Sequence, residues 1–309
     1  MPTVAVLMST YNGGKYIREQ LDSIFKQEDV NVVLYVRDDG STDDTIKILE
    51  RYRDNHSVVI VQDGENVGPG ESFMRLVYQY ADVPDIEYYA FADQDDIWLE
   101  DKLKIAIESI TAHKDNKPVL YTSNQYIYID GENKGDRHKD IQRIDLISHM
   151  TRNTIAGCTF VFNKRLAQLV ARADKPEQRI IKYRLHDSWI MLVAILCGKV
   201  VYDTTSHMLY RIHSENVVGV RKLSVKKRLD RLKRYFVKRD DANLRMITAQ
   251  ELLRLFPQMS GGEKEVLQLY ADYQKSFRNK RELVCNNEIR KNCLENPLVF
   301  VVKVLTNFV

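Results

Sequence analysis

The sequence predicts an α/β protein, a mostly parallel sheet flanked by helices and followed by a C-terminal helical extension. Three observations carry that prediction. Short apolar runs alternate with amphipathic helical stretches through the first hundred residues, joined by short connections. The most polar junctions follow strands, where open α/β sheets gather their ligands. From Arg221 the pattern turns helical, basic and amphipathic, which divides the chain into residues 1–220 and 221–309.

Residues 4–10 read as a continuous apolar strand ending in the turn Tyr11-Asn12-Gly13-Gly14. A helix over 15–27 follows, with Ile17, Leu21, Ile24 and Phe25 on one face. Strand 32–36 runs into Arg37-Asp38-Asp39-Gly40-Ser41-Thr42-Asp43, and Ser41 or Thr42 can cap the helix carrying Ile46, Ile48 and Leu49. Strand 58–61, a polar loop over 64–70 and a helix over 71–80 lead to a buried strand, Tyr89-Ala90-Phe91-Ala92. Beyond it come a helix over 99–114, a strand over 119–129, a polar charged loop over 131–143 and a strand over 154–162. Leu185-His186-Asp187-Ser188-Trp189 opens an apolar helix stopped by Gly198, and short strands 200–203 and 208–212 precede His213. In 221–239, Val225, Leu229, Leu232 and Phe236 recur at helical spacing among lysines and arginines. Residues 297–309 are apolar but too few to span a bilayer.

Composition narrows the function classes. An apolar fraction of 44% with 29% charged residues over 309 residues is ordinary for a soluble protein. Cys158, Cys197, Cys285 and Cys293 show no metal or disulfide spacing, so reduced thiols and a cytoplasmic setting are expected. The N-terminus enters a strand-like run without the basic and apolar regions of a leader. No GxGxxG follows a strand and no GxxxxGK[ST] occurs, which argues against hydride transfer and P-loop hydrolysis.

The chemistry concentrates at Asp93-Gln94-Asp95-Asp96-Ile97-Trp98. Carboxylates packed this densely repel one another, and a divalent cation, Mn²⁺ or Mg²⁺, resolves the conflict while bridging to a substrate diphosphate. Asp96 has a second reading, as cap of the helix that follows. Gly157 inside a strand can mark the close approach of a ligand.

Together, Ser9-Thr10-Tyr11-Asn12-Gly13, Arg37-Asp38-Asp39-Gly40-Ser41-Thr42-Asp43 and the acidic stretch resemble the nucleotide-sugar half of glycosyltransferase family 2, inverting enzymes of GT-A fold. His186-Asp187 and Tyr210-Arg211-Ile212-His213-Ser214-Glu215-Asn216-Val217-Val218-Gly219 are similar to its bacterial rhamnosyltransferase branch, which builds cell-wall rhamnan, capsule and O-antigen chains. The resemblance spans roughly residues 3 to 220. It implies that Thr10 and Tyr11 line the nucleotide pocket and that Asp39, with Asp38 beside it, accepts from the base. Asp93 would contact ribose or metal, and Asp95 would ligate the metal. His213 would bind metal or diphosphate, with Arg211 offsetting phosphate charge. Asp187 matches the catalytic base, a role compatible with capping its helix. His186 stands where many relatives carry Glu, and its role stays open. Gly157 is assigned to the acceptor side; Trp189 would stack on an acceptor sugar or pack in the core.

These residues give an expected activity: a metal-dependent, inverting transfer of rhamnose from dTDP-rhamnose, or of a hexose from a UDP-sugar, to a lipid-linked glycan. The basic stretch 221–239 suits an anionic membrane surface, a solvated helix face or an oligomer contact. No nucleic-acid motif accompanies it. The expected place of work is peripheral, at the inner face of the cell membrane. Nucleotidyltransfer would require a Gly-rich N-terminal loop followed by Arg and Lys. An inactive membrane-docking scaffold would have no need of the intact acidic stretch and Asp187.

Overall fold

The computed structural model describes residues 1–113, 116–213, 242–259 and 261–309. The first half follows the alternation in the sequence. β1 (Thr3–Thr10), α1 (Ile17–Phe25), β2 (Asn31–Asp38), α2 (Thr45–Arg53), β3 (Val58–Val61), α3 (Pro69–Tyr80) and β4 (Tyr88–Ala92) build a parallel sheet in the order β3-β2-β1-β4. Val4 to Met8 are fully buried, as expected of a strand covered on both faces.

The second half makes the sheet mixed. β5 (Ile97–Trp98) and α4 (Lys102–Thr111) lead to β6 (Val119–Ile129) and β7 (Glu132–Asp136). Then come α5 (Leu146–Thr151), a 3₁₀ turn at Gly157–Thr159, β8 (Val161–Asn163), α6 (Lys164–Arg172), α7 (Gln178–Cys197) and β9 (Lys199–Arg211). β8 runs antiparallel between β4 and β6, β9 lies parallel to β6, and β5 pairs antiparallel with β9. Among the described residues, helices Leu244–Leu255, Gly262–Asp272, Phe277–Cys285, Asn287–Asn292 and Pro297–Leu305 complete the chain.

Several local expectations are corrected. The charged segment expected as a loop over 131–143 contains β7, which pairs with β6 although all five of its residues are exposed. The two short strands expected at 200–203 and 208–212 are one strand, β9, whose register shifts against β6 near Ser206. The strand expected over 154–162 is a 3₁₀ turn followed by β8. Neither Ser41 nor Thr42 caps α2: the Ser41 hydroxyl donates to Asp38 and the Thr42 amide donates to Asn12. Asp96 caps nothing, because α4 starts only at Lys102. Residues 214–219 and the basic stretch 221–239 lie outside the described residues.

One side of the sheet is packed by α1, α2 and α4 through Leu21, Ile24, Leu49, Leu103 and Ile110. The other is packed by α3, α6 and α7, and the C-terminal helices join that same apolar cluster through Leu252, Phe256, Tyr270, Leu283 and Phe300. No helix of the described residues is long and apolar enough to cross a membrane. Contact between α3 and α7 is close: a Cβ on Gly70 would lie 2.5 Å from the Ile181 carbonyl oxygen. Overpacking at such a point costs about 1–3 kcal/mol. Gly70→Ala is therefore expected to lower the urea midpoint of unfolding, and an unchanged midpoint would mean that α7 yields readily there.

Candidate active site

A cleft of about 940 Å³ opens over the C-terminal ends of β1, β2 and β4. Tyr11 from the β1 turn, Asp39 from the end of β2 and Asp93 and Asp95 after β4 line one part of it. Arg137 after β7, Gly157 and Cys158 in the 3₁₀ turn, Asp187 in α7, and Tyr210 and His213 at the end of β9 line the other. Residues separated by up to two hundred positions thus share one cleft. Gln94 fixes the floor: its carbonyl accepts from the Tyr11 amide at 2.9 Å and its NH₂ donates to the Tyr11 carbonyl at 3.0 Å.

The acidic stretch makes a tight turn between β4 and β5. Asp95 Oδ2 lies 2.7 Å from His213 Nε2. Asp96 is fully buried; its Oδ1 accepts from the Arg211 amide at 3.0 Å, while Oδ2 makes no hydrogen bond among the described residues. Asp93, Asp96 and Cys158 bring one ligand atom each within 4.8 Å of one another. Burial, then the charges of Asp95 and Asp187, push the Asp93 carboxyl up to about 7. Burial pushes Asp96 up as well, with Asp95 and Asp93 adding to it. A divalent cation fits this donor set. Asp93, Asp95 and His213 all line the cleft, with Asp95 and His213 paired to each other, and carboxylate oxygens are the ligands a hard divalent cation takes.

Across the cleft, α7 is broken at Leu185, whose φ of 66° and ψ of 170° lie outside helical values. The break starts a new turn at His186 and Asp187. His186 is buried, stacked on Phe73 at 4.1 Å and edge-on to Phe91 at 4.8 Å, and burial pushes it down to about 3. It is a neutral packing group. Asp187 Oδ1 accepts from the Ser188 amide at 2.6 Å, and burial pushes the carboxyl up to about 6 against the pull of the Ser188 and Gly157 amides. Gly157 allows this approach: a Cβ there would sit 2.9 Å from both the Asp187 Cβ and His186 Nε2.

Some expected site residues are not on the cleft wall. Trp189 is 1% exposed and packs toward Phe256, so the core reading holds and sugar stacking is corrected. Thr10 and Asp38 are buried: Thr10 donates to Asp38, which also accepts from the Gly40 and Ser41 amides. They shape the turn rather than face the nucleotide. Arg211 lies beneath the acidic turn, donating to the Asp95 carbonyl at 2.7 Å and pairing with Glu19 at 2.8 Å. It positions that turn and does not point into the cleft. Asp39 reaches the cleft, yet its carboxylate already accepts from Arg37 at 2.5 Å and from the Val67 and Gly68 amides at 2.8 Å each. Gln94 and Arg137 went unnoticed in the sequence. Gln94 sits inside the acidic motif and had a positional signal; Arg137 lies in a charged segment with no pattern to single it out.

Comparison with known proteins gives the same picture. The family model described as Glycosyl transferase family 2 matches residues 5–181, ending before Asp187 and His213. The dTDP-rhamnosyl transferase RfbG of Shigella flexneri is 32% identical over 235 residues, 73% of this chain and 78% of that protein. A solved structure of Staphylococcus aureus TarS 1–349 in complex with UDP-GlcNAc superimposes with a TM-score of 0.59 at 19% identity, over 98% of this chain and 81% of that one. The mannosyltransferase PcManGT of Pyrobaculum calidifontis, in complex with GDP-Man and Mn²⁺, gives 0.50 at 15% identity, over 99% and 86%. The structural likenesses agree with a GT-A fold, and the sequence matches go further: this chain is a glycosyltransferase and belongs to glycosyl transferase family 2.

Proposed function

We propose that the chain transfers rhamnose from dTDP-rhamnose, with inversion, to a hydroxyl of a lipid-linked cell-surface polysaccharide precursor. The observation that carries the mechanism is the placement of Asp187 across one cleft from Asp93, Asp95 and His213. The donor rests on the likeness to a dTDP-rhamnosyl transferase over most of the chain. A UDP-hexose is the second reading, favoured by the likeness to a structure that binds UDP-GlcNAc.

In this reading Tyr11 and Asp39 hold the nucleotide at one end, Asp39 with the acceptor capacity left by Arg37 and the loop amides. Asp93, Asp95 and His213 would hold a divalent metal, which would neutralise charge on the nucleoside diphosphate. The acceptor hydroxyl gives its proton to Asp187 as its oxygen bonds to the anomeric carbon. The sugar–phosphate bond breaks on the opposite face, and its electron pair leaves with the diphosphate. The Ser188 amide holds Oδ1, which orients the carboxylate while Oδ2 takes the proton. Gly157 keeps the acceptor side open beside it. The lipid-linked acceptor places the enzyme peripherally at the inner face of the cell membrane.

A donor panel tests the substrate. Metal-dependent nucleotide release from dTDP-rhamnose, abolished by EDTA, is expected; release only from a UDP-sugar keeps the mechanism and overturns the donor. For the base, Asp187→Asn should lower kcat by roughly 10²–10⁴-fold while leaving nucleotide affinity unchanged, since the side chain acts on the acceptor. Retained turnover would remove Asp187 from that role. Because its carboxyl titrates near 6 and must be ionised to accept a proton, kcat/KM should fall as pH drops below about 6. A flat profile from pH 5 to 7 would contradict the assignment. His213→Ala should weaken Mn²⁺ binding, read calorimetrically, by about 10–100-fold; equal affinity would place the imidazole outside the metal's reach.

A further inference from the structure

The helix Pro297–Leu305 reverses the usual arrangement of a surface helix. Its one charged side chain, Lys303, is buried and paired with Glu295, beside buried Phe300 and Val304. Its outward side is apolar: Leu298, Val299, Val302 and Leu305 are 76%, 47%, 49% and 51% exposed. At 3.6 residues per turn Leu298, Val302 and Leu305 form one stripe, with Val299 on its flank. Phe277, 75% exposed, opens the neighbouring helix Phe277–Cys285, and one turn on Lys280 reaches the Leu305 carbonyl at 3.2 Å. Two helices thus present adjoining apolar side chains, the mark of an interaction surface.

The charges nearby identify the partner. Residues 275–309 hold seven lysines and arginines against three glutamates. Arg278, Arg281, Arg290 and Lys291 are exposed. Of the glutamates, Glu295 is taken up by Arg245 and Lys303, and Glu282 by Arg278. A second copy docked on this face would set like charges against each other. Anionic headgroups would neutralise them, while the acyl boundary receives the stripe.

We propose that the outer face of Pro297–Leu305, with Phe277, seats the protein on an anionic phospholipid surface, the helix lying in the plane of the interface. On its inner side the same helix supplies Lys303, and the residues just beyond it supply Phe308, to the wall of the cleft that holds Asp187. Docking therefore brings that cleft to the bilayer. The seat stands independently of the donor and acceptor assigned above.

Flotation of the full chain with liposomes tests it, using phosphatidylglycerol–phosphatidylcholine vesicles and phosphatidylcholine vesicles alone. Wild type is expected to bind the anionic vesicles preferentially. The triple variant Leu298→Gln, Val302→Gln, Leu305→Gln should bind them at least about tenfold more weakly, since the stripe supplies the inserted surface. All three side chains are exposed, so the variant should keep its thermal midpoint and nucleotide binding. Equal binding by variant and wild type overturns the proposal, as does wild-type binding that ignores headgroup charge. A wild-type dimer lost in the variant, without any change in vesicle binding, would instead assign the face to a second copy of the chain.

Discussion

Crowded negative charge at the end of β4 is the constraint on which the rest of the site depends. Like charges 4 Å apart repel by about 4 kcal/mol at the effective dielectric of a protein surface. The chain places Asp93, Asp95 and Asp96 within four residues and brings Asp187 to the opposite wall. The surrounding groups answer that repulsion one at a time. His213 meets Asp95, the Arg211 amide meets Asp96, and the Arg211 guanidinium braces the turn from below. Lys102 lies buried with its ammonium 4.4 Å from the centre of the Trp98 ring, pushed down to about 8 by burial against the attraction of Cys158 and Asp96. None of this uses up the cleft-facing oxygens of Asp93. The Asp93 carboxyl is left facing the cleft, where a divalent cation would offset its charge.

The second wall obeys a different constraint, the direction of one side chain. A straight α7 would carry Asp187 on a regular helical bearing; the positive φ of Leu185 restarts the helix just before it. A non-glycine residue in that conformation is strained and persists only where its surroundings hold it. The holding groups are visible. Arg184 donates to the carbonyls of His149 and Met150 at the end of α5, and His186 is locked against Phe73 and Phe91. The His186 ring is thus a packing element. Its neutrality matters, since a charged imidazolium would lie unpaired between two phenyl rings.

What was legible in the sequence follows from how local each feature is. The parallel half of the sheet could be read because each strand is an apolar run and each connection is short. Strand β3 matches its expected bounds of 58–61, and β6 its expected 119–129. β7 could not be read, because Glu132 to Asp136 carry no apolar face and are ordered by pairing with β6. Likewise β9 looked like two strands, because Thr204 and Thr205 are polar where its register against β6 shifts. In the site, the acidic turn and Asp187 were legible as residue types at telling positions. Burial was not: nothing in the letters separates Thr10 and Asp38, which are spent on each other, from Tyr11, which is half exposed on the cleft.

The same distinction separates the two ends of the cleft. The proposed donor end is assembled mainly from the turns after β1, β2 and β4, which parallel pairing sets side by side within the first hundred residues. Its geometry is therefore carried by short motifs at the strand ends. The opposite end is assembled from the turn after β7, the 3₁₀ turn, the break in α7 and the C-terminal segment around Lys303 and Phe308. No two of those pieces are neighbours in sequence, and each is placed by packing rather than by a motif. Under the proposed roles, changes in that half would act first on the acceptor side, while the end of β9 is tied to the donor side through His213–Asp95 and Arg211–Asp96. Under the proposed roles, acceptor choice would rest on the tertiary packing of the second half, and donor chemistry on the strand ends of the first together with His213 after β9.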